Sequence, residues 1–258
     1  MSKHWFITGI SRGLGLALAQ AALARGDTVV GTVRSGAPLV EKGLGELHVL
    51  TLDVTDGVAI ERVVAEAFHR AEGRLDVVVN NAGYGLLGAL EDASDEEAQR
   101  LFATDVFGPF KVIRAALPGL RAQGEARILN ITSIAGRAPG AASALYAAAK
   151  SFMIKFTESL ALEMTNTGVT ATAVCPGFTL SEFHDVNATR PRVEKMPKLM
   201  WLDAHTVASK GIDAAMAGRV VVVTGALNKL IATTMKHIPD AVARRVLLRQ
   251  SKNFRHVD

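Results

Sequence analysis

Tyr146 and Lys150 stand four residues apart in the run Tyr-Ala-Ala-Ala-Lys. On a helix that spacing puts both side chains on one face. A free phenol, with a pKa of about 10, is a poor acid or base at neutral pH, and a neighbouring ammonium favours the phenolate and lowers that value. The pair is a candidate for general acid–base chemistry. Most Tyr-x-x-x-Lys matches are ordinary surface pairs. What sets this one apart is its company: Ser133 lies ahead of it, and a glycine-rich turn lies near the start of the chain.

The elements that must position these residues follow from hydrophobic period. Strand-length apolar runs at 4–8, 28–33, 48–52, 77–80, 127–131, 170–174 and 219–223 alternate with helical stretches at 14–25, 58–71, 95–121, 144–165 and 206–217. Several of the runs are continuous Val/Ile/Leu, as in strands covered on both faces. The pattern predicts an α/β fold: a doubly wound, parallel, seven-stranded sheet with helices on both faces and right-handed crossovers. No linker or repeat divides residues 1–258, so one domain is expected. Residues 178–203 break the alternation and read as an excursion with short helices. Residues 227–258 read as a C-terminal helical extension, with a second helix at 240–249.

In such a sheet, ligands bind beyond the carboxyl ends of the strands. After the first strand come Thr8, Gly9, Ser11, Arg12, Gly13, Leu14 and Gly15, in a turn leading into a helix. Glycines there permit close approach of backbone to a pyrophosphate, and the helix N-terminus offers free N–H groups. After the second strand there is no acid between Gly31 and Val40 to hold a ribose 2′-hydroxyl; Arg34 takes the place. Arg34 and Arg12 together form a clamp for a 2′-phosphate, favouring NADP(H) over NAD(H). Asp53-Val54 is placed to accept from an adenine amino group, or is a turn acid. Asn80, Asn81, Ala82 and Gly83 follow the fourth strand, Thr132 and Ser133 the fifth, and Pro176 and Gly177 the sixth.

These residues, in this order, resemble the short-chain dehydrogenase/reductase family in its compact, Rossmann-type form, over residues 3–223. The resemblance implies that Tyr146 is the general acid/base and that Ser133 polarises the carbonyl. Lys150 would hold the nicotinamide ribose and lower the pKa of Tyr146. Pro176, Gly177 and the following Phe178 and Thr179 would embrace the nicotinamide amide. Two positions depart from the family pattern. Asp105 occupies the place of the family's fourth catalytic residue, an Asn, and Ser181 stands where Thr is frequent. An ionised Asp cannot donate as an amide does. The resemblance also implies a homo-oligomer.

Tyr84, Phe178, Phe183 and Met200, with Ser133, are candidates for an apolar substrate pocket; packing of the excursion onto the core is the other reading of the aromatic and Met residues. The expected activity interconverts a small apolar carbonyl and a secondary alcohol. The alternative is an NADP(H)-binding sensor or scaffold without redox chemistry. A serine hydrolase elbow is absent around Ser133, the seven histidines show no metal spacing, and the single Cys175 excludes an intrachain disulfide. Net charge is +4, but residues 219–258 carry eight Lys/Arg against two Asp, so the basic excess belongs to the tail and nucleic acid is not an expected partner. Peripheral membrane contact by the basic C-terminal helices is a less favoured reading. No signal peptide or membrane span is read, and the cytoplasm is the expected location.

Overall fold

The structure, a computed structural model, describes residues 2–38, 40, 45–139, 142–183 and 198–238. Seven parallel strands form one sheet: β1 (His4–Ile7), β2 (Thr28–Val33), β3 (Leu47–Thr51), β4 (Val77–Asn80), β5 (Ala126–Ile131), β6 (Val169–Cys175) and β9 (Val221–Val223), in the order β3-β2-β1-β4-β5-β6-β9. The order reverses direction between β1 and β4, which opens a crevice at the carboxyl edge. The expected doubly wound α/β sheet is the one observed.

Successive strand residues point to opposite faces and fill two cores. Trp5, Ile7, Val77, Val79 and Leu129 pack with Ala17, Leu18 and Ala22 of α1 (Gly13–Leu23) and Ile212 of α6 (Ala204–Met216). Phe6, Val78 and Ile128 face the other way, onto α2 (Gly57–Arg70), α4 (Gly108–Ala122) and α5 (Ala144–Glu163). Alanines on α1 let it lie close to α6 without loss of helix propensity.

Two carboxylates tie down the amino end of β1. Asp27 accepts from Lys3 N at 2.8 Å and from the indole Nε1 of fully buried Trp5 at 2.9 Å. Asp76 accepts from His4 N at 2.8 Å and from Arg74 Nε at 2.7 Å. Asp27→Ala would strand a buried indole N–H, so a loss of about 1–3 kcal/mol is expected. Urea denaturation followed by tryptophan fluorescence checks this; an unchanged midpoint would show that the bond contributes nothing.

The sequence reading is corrected at two places. The stretch 95–121 is not one α-helix: α3 (Asp95–Phe102) and α4 are joined by a π-helical turn, Ala103–Phe107. Pro109 has no N–H to give to a preceding carbonyl, so the α-ladder cannot run unbroken into α4. The excursion also differs from expectation. Phe178–Leu180 (β7) and Trp201–Asp203 (β8) pair in parallel, preceded at β8 by a 3-10 turn, Lys198–Met200. Phe178 lies opposite Trp201 with ring centroids 5.3 Å apart, an aromatic cross-strand pair that favours extended chain over helix. Residues 184–197 lie outside the described residues. After β9, α7 (Ala226–His237) follows the expected apolar spacing from Leu227 onward, and the helix expected at 240–249 lies outside the described residues. Among the described residues no helix is long and apolar enough to cross a membrane.

Candidate active site

The turn after β1 is built for close approach. Gly9 and Gly13 have φ of +74° and +58°, a region that favours glycine. A Cβ on Gly15 would strike Gly9 O and the Asn81 amide. Thr8 Oγ1 accepts from Asn81 N at 3.0 Å and Ala82 N at 3.1 Å, and Asn81 Nδ2 donates to the carbonyls of Thr8 and Gly9 at 3.0 and 2.9 Å. Asn81 thus clamps the turn to the end of β4, a role sequence reasoning did not assign. Its one signal was its place between Asn80 and Ala82-Gly83. Ser11 and Arg12 are exposed, Arg12 directly preceding α1; Leu14 is partly buried in its first turn. The backbone cradle therefore fits a pyrophosphate at the N-terminus of α1.

Arg34 is exposed at the end of β2. Thr55 gives Asp53 Oδ1 two hydrogen bonds, 2.9 Å from its N–H and 2.7 Å from its hydroxyl; with Arg34's charge these hold the Asp53 carboxyl below its usual range. Both bonds fall on Oδ1, leaving Oδ2 for another donor. Val54 is buried, and a Cβ on Gly108 would press on its carbonyl. Asn80 turns inward: its Nδ2 donates to Asn130 Oδ1 at 2.9 Å, and Asn130 Nδ2 donates to Thr157 Oγ1 at 2.8 Å. This buried ladder joins β4, β5 and α5 directly beneath the crevice.

Ser133, Tyr146, Lys150 and Asp105 come together at the ends of β5 and α5. Ser133 precedes the 3-10 turn Ile134–Gly136, its Oγ accepting from Ala135 N at 3.1 Å. Gly136 lies so close to the backbone of Lys150 that a Cβ there would sit 2.6 Å from its carbonyl carbon. The turn is thereby seated on α5, which sets the Ser133 hydroxyl beside the Tyr146 phenol. Lys150 Nζ donates to Ile131 O at 3.2 Å, lies 3.0 Å from Asp105 Oδ2 and is 5.7 Å from the centroid of the Tyr146 ring. Asp105 Oδ1 accepts from Tyr84 N at 3.1 Å. Asp105 and Lys150 are 1% and 7% exposed, so this is a buried ion pair.

Burial pushes the Asp105 carboxyl up, against the pull of Lys150. Burial alone would depress Lys150, but Asp105, Tyr146 and Cys175 together outweigh it, and its pKa lies above the ordinary lysine value. Lys150 acts on the pKa of Tyr146 in the expected direction, downward, but burial opposes it more strongly. Burial raises it, Lys150 pulls it down, Asp105 raises it again, and the balance lies above the ordinary phenol value. Tyr146 is therefore a loaded proton donor at neutral pH.

On the far side, Ile134 N donates to Pro176 O at 2.8 Å, and Thr179 Oγ1 donates to Gly177 O at 3.1 Å. Cys175, just before, is fully buried, and burial pushes its thiol up. The Phe183 ring lies 6.2 Å from that of Tyr146. Phe178 packs on Trp201, and Met200 sits in the turn beside β8. Tyr84 directs its hydroxyl to Glu97 O at 3.5 Å. Leu86, Leu87, Leu90 and Leu145, with the acids Asp92 and Glu97, line a cavity of about 120 Å³ of mixed polarity adjoining the start of α5. No sequence spacing marks this lining, because a segment after β4 and the start of α5, far apart in the chain, form it.

A family described as short chain dehydrogenase matches residues 3–191. Oxidoreductase BOA17 of Botryotinia fuckeliana is 39% identical over 181 residues, covering 69% of this chain and 66% of that protein; the match thus spans just under two thirds of its length. The 3-oxoacyl-[acyl-carrier-protein] reductase FabG of Escherichia coli is 38% identical over 180 residues, covering 68% of this chain and 73% of that one. A crystal structure of a short-chain dehydrogenase from Streptomyces avermitilis superposes with a TM-score of 0.80 at 31% identity, covering 100% of each chain.

Proposed function

The chain belongs to the short-chain dehydrogenase family of NAD(P)-dependent oxidoreductases, and from that premise we propose that it is an NADPH-dependent reductase of an apolar carbonyl compound. The observation that carries the reading is the cluster of buried Tyr146, Lys150 and Asp105 with half-buried Ser133 at the crevice, beside a glycine cradle. When bound, the reduced nicotinamide supplies the hydride. Ser133 and Tyr146 both present hydroxyls to the carbonyl oxygen, and Tyr146 Oη gives up its proton as the oxygen gains charge. Lys150, held by Ile131 O and Asp105, keeps a positive charge beneath the phenol and would hold the ribose hydroxyls of the bound cofactor. Asp105 is a positioning residue: it fixes the ammonium and, through Tyr84 N, the loop after β4.

Reduction needs the phenol and oxidation the phenolate, and the raised pKa of Tyr146 keeps it a phenol at neutral pH. The Phe183 ring beside Tyr146 supports a hydrophobic substrate. FabG acts, by its name, on a 3-oxoacyl group, which joins a ketone to an acyl chain. The test is consumption of NADPH with a panel of ketones, aldehydes and 3-oxoacyl thioesters. Binding of NADPH without turnover on any of them would favour the sensor reading.

Cofactor choice rests on Arg34, exposed at the end of β2, with no acid between Gly31 and Val40. Arg34→Asp is expected to weaken NADPH and favour NADH, by about 10–100-fold in the ratio of kcat/KM values. An unchanged ratio would remove the 2′-phosphate clamp.

A further inference from the structure

We propose that Asn228, in the first turn of α7, is a cofactor-positioning residue that seats the Pro176-Gly177 turn and, through it, the nicotinamide. The inference rests on the reading of that turn as the nicotinamide-binding one. Asn228 is 2% exposed, and its amide lies flat against Gly177. A Cβ on Gly177 would meet Asn228 Nδ2 first, then Cγ at 2.6 Å and Oδ1 at 2.8 Å. Asn228 Nδ2 donates to Thr224 O at 3.2 Å, which fixes the plane of the amide.

This is not a helix cap. Gly225 stands at the N-cap with φ of +86°, and Asn228, three residues on, donates backwards instead of accepting from the free N–H groups. Its Oδ1 is buried with no hydrogen-bond partner among the described residues, and so is Thr224 Oγ1. A buried acceptor without a partner costs about 1–3 kcal/mol, so its retention calls for an explanation. Burial against the cofactor turn supplies one.

The same corner reaches the excursion. A Cβ on Gly225 would lie 3.1 Å from Leu202 of β8 and 3.1 Å from Asn228 Nδ2. Pro176-Gly177 is therefore gripped between Ile134, at the end of β5, and Asn228, at the start of α7. The corner that grips it also touches the returning limb of the segment that carries Phe178 and Met200. The C-terminal helix is thereby part of the cofactor site and not an appendage.

The test compares two probes on the full chain: NADPH, and adenosine 2′,5′-bisphosphate, which lacks the nicotinamide half. Asn228→Ala is expected to weaken NADPH about tenfold and leave the bisphosphate unchanged. Asn228→Ser, which keeps a hydroxyl donor in a smaller volume, is expected to show the same selective loss to a lesser degree, and it serves if the alanine variant does not fold. Gly177→Ala should lose NADPH selectively as well. Its methyl fits the space left by Asn228→Ala, so the two losses should be less than additive in the double variant. If the wild type binds both probes and Asn228→Ala alters neither, or both equally, the inference is overturned while the dinucleotide reading stands. If the wild type binds neither probe, the dinucleotide reading falls and the inference with it.

Discussion

Tyr146→Phe is expected to lower kcat for carbonyl reduction by about 10²–10⁴-fold while leaving NADPH affinity unchanged. The phenyl ring keeps its contact with Phe183 and its place on α5, so packing survives. What is lost is the hydroxyl of the cluster that sits beside both Ser133 and the Lys150 ammonium. Steady-state rates and a fluorescence titration of NADPH measure the two halves. Near-full turnover in the variant would refute the proposed proton donor. The pH dependence follows from the same group. Its folded pKa lies above the ordinary phenol value, so kcat/KM for reduction should be flat through neutrality and fall only at high pH. Oxidation of the alcohol, which needs the phenolate, should rise with pH over the same range.

Lys150→Met is expected to cost about 3–5 kcal/mol of stability in addition to activity. The reason is Asp105, fully buried 3.0 Å from the ammonium. Without its partner the carboxylate is a lone buried charge, and only Tyr84 N still donates to it. It can escape by taking up a proton, so in the variant its folded pKa should rise further above the unfolded value. The native state then binds more protons than the unfolded state, and stability falls as pH rises through neutrality. The double variant Lys150→Met/Asp105→Asn should recover most of the lost stability and none of the activity, because the Asn oxygen still accepts from Tyr84 N. Urea denaturation at about pH 5.5 and 7.5 checks the sign and the coupling. Additive losses would show that the ion pair is not a unit.

Much of the site could be read before any fold was known, because its signals are local. The i, i+4 spacing of Tyr146 and Lys150 forces them onto one helix face whatever surrounds the helix. Glycines and polar residues at the ends of β1, β4, β5 and β6 mark one edge of a parallel sheet, since every crossover brings the chain back to the same side. The alternation of apolar runs specified the sheet for the same reason.

Other features depended on residues far apart in the chain. Whether Lys150 lowers or merely moderates the pKa of Tyr146 is a contest between burial and two charges, and burial is a property of the packed molecule. The π-helical turn that carries Asp105 inward leaves no mark in an apolar pattern that a plain helix fits equally well. Asn81 against the glycine turn and Asn228 against Gly177 are contacts between separate strand ends, and no spacing in the chain encodes them. The amino-acid order thus determined which groups reach the carboxyl edge. The tertiary structure decided how strongly each is desolvated and which groups pair, because low dielectric and close packing arise only where distant segments meet.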